Sequence, residues 1–249
     1  MFPLRNTRRG PAVARPRSRA TSLRWARLVT GVLACLLPAV ALATSSGLNN
    51  IPTADTTDNQ TLVLQNYETL GPGRTPDYSG GFKMGLSPWD QRFEVGADGH
   101  MAPGDPGLLV LQGKYAVQPW EKWPTFCVGV ANVAVTDRDK AGDPFSYAVA
   151  SYDVNGWFRL HGGYGFQTDN STPLLGIDST FKVLNRSLMV CVDAIQIQDQ
   201  RQWMPSFGIK YFFHRHWALE TWTNLPLDQG RPSVVLKLNF IWPFGPEKK

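Results

Sequence analysis

His214 and His216 stand two residues apart, with Glu220 four further on. Of all residue groups in this chain, they are the best spaced for chemistry. On one strand the two imidazoles would share a face and could hold a divalent metal. A structural or catalytic site needs a third ligand, and a general base needs a nucleophile or metal within reach. The spacing supplies neither, and a polar turn accounts for His214-Arg215-His216. Asp137-Arg138-Asp139-Lys140-Ala141-Gly142-Asp143 matches the start of a calcium loop at its first and third positions and at the glycine. Ala141 at the fifth position offers no side-chain oxygen, and Ala148 falls where the closing glutamate belongs. A solvated turn is the reading there. No nucleophile elbow, zinc-binding helix, phosphate loop or CxxC pair occurs. The expectation is a non-enzymatic protein with no catalytic residue, no metal and no cofactor.

A second set of polar residues is defined by alternation. Arg159, Lys182, Lys210 and Lys237 each sit between two large apolar neighbours, and His161, Asp178, Asp193 and Glu220 each follow one. In the segment near 158, Phe158, Leu160, Tyr164 and Phe166 share one parity, and Arg159, His161, Gly163 and Gly165 the other. Near 177, Leu175, Ile177, Phe181 and Val183 oppose Gly176, Asp178, Thr180 and Lys182; near 190, Leu188, Val190 and Val192 oppose Met189, Cys191 and Asp193. Successive side chains of a strand point to opposite faces, so one face suits hydrocarbon and the other a polar lumen. With Lys83, Arg92 and Glu94, the expected lumen holds six basic and four acidic side chains. A selective pore wants a ring dominated by one sign. The mixture suits polar pairs that fill a narrow barrel first and meet solute second, with an open channel as the alternative. Trp89, Trp120, Trp123, Trp157, Trp203, Trp217 and Trp242 all fall near expected strand ends. Rings at the two membrane–water interfaces would form an aromatic girdle; a sugar-stacking platform and ordinary core packing are the rival readings.

These residues must be positioned by many short strands. The alternation predicts about twelve, near 60–69, 78–86, 91–98, 107–117, 124–135, 144–154, 157–167, 173–184, 187–198, 203–213, 216–223 and 233–242, with ten equally tenable. Asn155-Gly156, between two alternating runs, is the preferred pair for a type I′ hairpin turn; Asn185-Arg186 and His214-Arg215 suggest further short turns. Residues 1–43 read as a signal peptide. Eight arginines precede an apolar stretch, Leu28 to Val40, and a small-x-small site at Ala41-Leu42-Ala43. Without those eight, 17 basic residues face 20 acidic ones, a net of −3, which removes the case for a nucleic-acid partner. The remaining chain has no apolar run long enough for a spanning helix, roughly 18 residues or more. The fold class that follows is all-β, a single antiparallel transmembrane barrel of about 10–12 strands over 60–244, with outer-membrane lipid as its solvent. Residues 44–59 form an extended segment, either a plug in the barrel mouth or a periplasmic tail. Cys127 and Cys191 read as buried thiols rather than a bridge. A secreted β-sandwich that binds carbohydrate is the alternative fold and function.

Ser46-Gly47-Leu48-Asn49-Asn50-Ile51-Pro52-Thr53-Ala54-Asp55 resembles the G-L-x-x-x-P-T-A-[DR] opening of YjbH-like bacterial outer-membrane proteins. The resemblance implies an outer-membrane barrel of the cell envelope that supports exopolysaccharide export or surface organisation. Its partners would be polysaccharide or envelope-assembly proteins. No catalytic residue comes with it. Phe240 and Phe244 approach the terminal aromatic of many barrels, but five residues follow.

Overall fold

The computed structural model describes residues 46–72, 77–86, 92–101, 107–167, 170–197, 202–227 and 231–245. Residues 1–43, where a signal peptide is expected, and Trp89 lie outside them. Twelve strands follow one another: β1 (Thr61–Leu70), β2 (Asp77–Leu86), β3 (Arg92–Met101), β4 (Leu108–Val117), β5 (Thr125–Ala134), β6 (Phe145–Val154), β7 (Phe158–Gln167), β8 (Asn170–Val183), β9 (Arg186–Ile197), β10 (Gln202–His214), β11 (Trp217–Asn224) and β12 (Ser233–Pro243). Each pairs antiparallel with its neighbours in sequence, and β1 pairs with β12 from Thr61↔Pro243 to Leu70↔Val234, closing the barrel. Closure leaves no unpaired edge, the condition a sheet must meet to sit in lipid.

Alternation decides which face is which. Phe158, Leu160, Tyr164, Phe166, Leu175, Ile177, Phe207 and Ile209 are exposed on the outside. Gln65, Lys83, Glu94, Lys114, His161, Asp178, Asp193, Glu220, Lys237 and Asn239 are buried within. Such a continuous apolar exterior exceeds what a soluble surface carries. With a single closed sheet and the bulky groups outward, the stacked sandwich is not favoured. The chain is a bacterial outer-membrane β-barrel. Closure also explains how it can span without a long apolar helix, since every strand finds both partners inside one sheet.

The turns differ in detail from the sequence reading. Asn155 and Gly156 both have positive φ, 55° and 72°, as a type I′ turn requires. The next short turn centres on Leu184 and Asn185 (φ 50° and 60°), one residue earlier than Asn185-Arg186. The turn after β10 is at Arg215 and His216. A bulge in β5 puts Asn132 at φ 60°, where the β4 register shifts between Leu111 and Gly113. The Asn132 amide donates to the carbonyl of Ala141. That ties β5 to the acidic 137–143 segment, which forms a one-turn helix, α1 (Arg138–Ala141), capped by Asp137 accepting from the Lys140 amide at 3.2 Å.

Short turns at 155–157, 184–185 and 215–216 share one end of the barrel with the start of β1 and the end of β12. Longer connections at 135–144 and 225–232 lie at the other. Outer-membrane barrels carry their short turns toward the periplasm, which orients this one.

Candidate functional site: the lumen and its N-terminal hairpin

Residues 46–58 enter the barrel and fold back on themselves. Gly47 bridges Pro52, the Leu48 amide donates to the Ile51 carbonyl (3.1 Å) and the Thr53 amide to the Ser46 carbonyl (3.3 Å). Leu48, Ile51, Thr53 and Ala54 are buried. A strand in this position would need a continuous ladder partner. Instead, the backbone donors of the hairpin are met by barrel side chains.

Glu94 of β3 accepts four bonds from it. The Ser46 amide donates to Oε1 at 2.9 Å; Ser46 Oγ (2.5 Å), the Thr57 amide (2.7 Å) and Thr57 Oγ1 (2.8 Å) donate to Oε2. Asp193 of β9 accepts the Asn49 and Asn50 amides, both at 2.8 Å, and Ser206 Oγ at 2.5 Å. Lys114 Nζ of β4 donates to the carbonyls of Ser46 (2.5 Å) and Thr53 (3.1 Å). At the tip, the side-chain amides of Asn49 and Asn50 donate to Ser206 Oγ and Asn224 Oδ1, each at 2.8 Å. Bonds to charged groups are the stronger kind, and here two carboxylates and an amine hold main chain. Two luminal glycines make the room. A Cβ on Gly176 would lie 2.5 Å from Leu48 Cδ1, and one on Gly208 would lie 2.1 Å from Asn49 Oδ1.

A second cluster spans β6, β7 and β8. Arg159 grips Asp178 with two bonds (3.1 and 2.7 Å) and reaches Asp55 of the hairpin at 2.8 Å. His161 lies 2.8 Å from Asp178 through Nε2 and 2.8 Å from Ser151 Oγ through Nδ1. These distances satisfy those of a serine–imidazole–carboxylate relay. However, Ser151 Oγ already accepts the Ala54 amide at 3.0 Å, and Asp178 is held by Arg159. The unit clasps the hairpin rather than presenting a free nucleophile.

The third cluster lies on the opposite wall. Glu220 of β11 is shared by Lys210 of β10 (2.8 Å) and Lys237 of β12 (3.3 Å), and also accepts from the Asn239 side-chain amide (2.8 Å). Between this wall and the hairpin lies a cavity of about 400 Å³, lined among others by Lys83, Lys210, Lys237, Gln65, Asn239 and Arg159. A second, of about 520 Å³, opens near Arg92, Trp123, Ser151 and Arg159.

Of the expected luminal residues, Arg159, His161, Asp178, Asp193, Lys210, Glu220 and Lys237 fall into these three clusters. Lys182 does not. It shares their parity but is exposed beside the β8–β9 turn, where Nζ bonds Ser187 Oγ at 3.0 Å, because β8 extends past the barrel mouth. Sequence reasoning missed Lys114, Asp98 and Gln112, buried on the inner faces of β3 and β4. Inner Leu108 and Val110 hide the alternation of β4. It also missed Trp222, whose parity with Glu220 was the available signal. Trp222 packs inside with Tyr67 and Val235.

Among the described residues, the expected girdle tryptophans are gathered mainly at one end of the barrel. Trp120, Trp123, Trp157, Trp217 and Trp242 sit at the periplasmic end, and of the expected girdle residues that are described only Trp203 is at the other. Trp120 and Trp123 stack with centroids 4.6 Å apart in the β4–β5 turn. His214 ends β10 and His216 lies in the β10–β11 turn, where its Nδ1 is 2.9 Å from the Ile241 carbonyl. Among the described residues no three His, Cys, Asp or Glu side chains converge as metal ligands. Cys127 and Cys191 are buried free thiols.

The architecture is similar to solved porins and channels. The KdgM porin superposes with a TM-score of 0.55 at 9% identity, over 72% of this chain and 98% of that one. An outer-membrane channel from Pseudomonas putida F1 superposes with a TM-score of 0.50 at 11% identity, over 78% and 100%. At such identities the likeness speaks for the fold alone. No family profile and no curated protein sequence matches the chain.

Proposed function

We propose that the protein is a narrow, non-enzymatic, porin-like channel for small polar solutes, constricted by its own N-terminal hairpin. The observation that carries this reading is the cavity of about 400 Å³, which runs between the hairpin and the inner faces of β1, β2, β10 and β12 and has Gln65, Lys83, Lys210, Lys237 and Asn239 in its lining. A barrel built only as a scaffold has no need to keep polar space open beside a seated plug. Buried luminal atoms without a protein partner, Gln65 Oε1, Thr172 Oγ1 and Trp222 Nε1 among them, support a path where water or solute serves as partner. Planar-bilayer recording tests the reading. The intact protein should give small, ohmic steps, and a variant lacking residues 46–57 should give severalfold larger ones. Silence from both, with folding verified by a heat-dependent gel shift, would overturn it.

A role in exopolysaccharide export or surface organisation is the second reading. It is favoured by one observation: the motif Gly47 to Asp55 that resembles YjbH-like proteins is the luminal hairpin itself. Deleting the gene should then reduce surface polysaccharide while leaving small-solute permeability unchanged.

A further inference from the structure

The hairpin and the barrel divide the luminal charges unevenly. Glu94 and Asp193 are saturated by hairpin amides and hydroxyls. Asp178 is engaged by Arg159 and His161. The cavity is lined by four basic side chains, Lys83, Lys210, Lys237 and Arg159, and two carboxylates of the returning segment, Asp55 and Asp58; Asp55 is taken by Arg159, and Glu220, which does not line the cavity, serves Lys210 and Lys237. Lys83 is only 3% exposed and lines the cavity, yet it makes no hydrogen bond or ion pair among the described residues. Asp98, on the adjacent strand, accepts from the Tyr67 hydroxyl at 3.3 Å and makes no ion pair with Lys83. Burying an amine without an acceptor is costly, and a second lysine in the same cavity raises that cost by repulsion. An anion seated between Lys83 and Lys237 removes both penalties.

We propose that this cavity is a binding site for a small hydroxylated carboxylate, with Lys83 as the principal contact to the acid group and Lys237 flanking it. One unpaired amine asks for one negative charge, which favours a carboxylate over a phosphate dianion. Gln65 and Asn239 line the same space and offer amides to hydroxyl groups; Met189 and Phe212 offer apolar surface to a carbon skeleton. A volume of about 400 Å³ lies within the range of small-molecule sites. The inference rests on the channel reading for its biological sense, but the binding itself requires only the folded lumen.

Calorimetry on the full, detergent-folded protein tests it, with gluconate as probe, its neutral counterpart glucitol, and inorganic phosphate. Gluconate should bind, glucitol should bind at least tenfold more weakly, and phosphate should not surpass gluconate. Lys83→Met should weaken gluconate at least tenfold, and Lys83→Gln should do the same if the Met variant does not fold. Lys182→Met, outside the barrel mouth, should leave binding unchanged. Equal binding of gluconate and glucitol, tighter binding of phosphate, no binding of gluconate, or full retention in a folded Lys83 variant would each overturn the proposal. Bilayer recording separates the two readings. Conductance without gluconate binding removes the site and leaves the channel; gluconate binding without conductance removes the channel and leaves the site.

Discussion

The two walls of the lumen are built by the same alternation and end up in different chemical states. On the wall of β3, β4 and β6–β10, the hairpin lies against the sheet, and every carboxylate it touches is engaged by a main-chain amide or by Arg159. On the wall of β1, β2, β11 and β12, the returning segment meets the sheet at Asn224 and beside Gly85, and Lys237 shares the one carboxylate Glu220 with Lys210 of the neighbouring β10. The lesson is that parity puts polar groups inside a barrel but does not say what they bond to. A main chain with free N–H groups is a strong consumer of carboxylates. With it seated, Lys210 and Lys237 keep Glu220, and Lys83 is left without an ion pair among the described residues. A lumen of mixed sign thereby keeps an unpaired lysine facing its cavity.

The largest effect on this asymmetry should come from Asp193→Ala. It removes the acceptor of the Asn49 and Asn50 amides and of Ser206 Oγ. Buried donors left without a charged acceptor cost about 1–3 kcal/mol each. The tip should leave its wall, visible as new proteolytic cleavage within residues 46–58 and a larger single-channel step. A channel unchanged in both would break the contrast between the walls. Gly208→Val should come next. Its new side chain would meet Asn49, and overpacking of this kind costs about 1–3 kcal/mol. Urea unfolding should report the loss, and it should shrink in a background lacking residues 46–57, where of these neighbours only the Trp222 Cβ, 2.8 Å from the added Cβ, still opposes it. Arg159→Met should be milder in stability, since Asp178 keeps His161, but Asp55 is freed. The current should become more cation-selective, read as a shifted reversal potential under a salt gradient. Smallest of all should be Trp157→Ala. The ring is 81% exposed at the periplasmic turn, and such surface substitutions stay within about 0.5 kcal/mol. A large loss of stability there would mean that the turn, not the lumen, sets the balance.

Much of the barrel was legible because its signal is local. Phe158 to Phe166 and Leu175 to Val183 alternate in single segments, and a period of two specifies both the strand and its two faces without reference to any partner. Asn155-Gly156 declared its turn for an equally local reason, positive φ at both positions. Where the local signal is blurred, the reading thinned. β4 carries Leu108 and Val110 on its inner face, so Lys114 did not stand out. Lys182 has the right parity but sits past the mouth, and parity carries no information about depth. The tryptophans were placed at strand ends without regard to which end, because alternation fixes inside against outside and not top against bottom.

By itself, the sequence determined an exported-looking chain of about twelve alternating strands, an apolar outside and a polar inside, since these follow from the two-residue repeat of a strand and from the demand of lipid that every backbone group be paired. Only the tertiary structure decided that residues 46–58 turn back inside the barrel, that Glu94 and Asp193 serve their amides, and that Lys83 is left facing a cavity with no carboxylate of its own. Those facts depend on contacts between residues far apart in the chain. No spacing records them, because they are set by barrel closure and by where the returning main chain finds its acceptors.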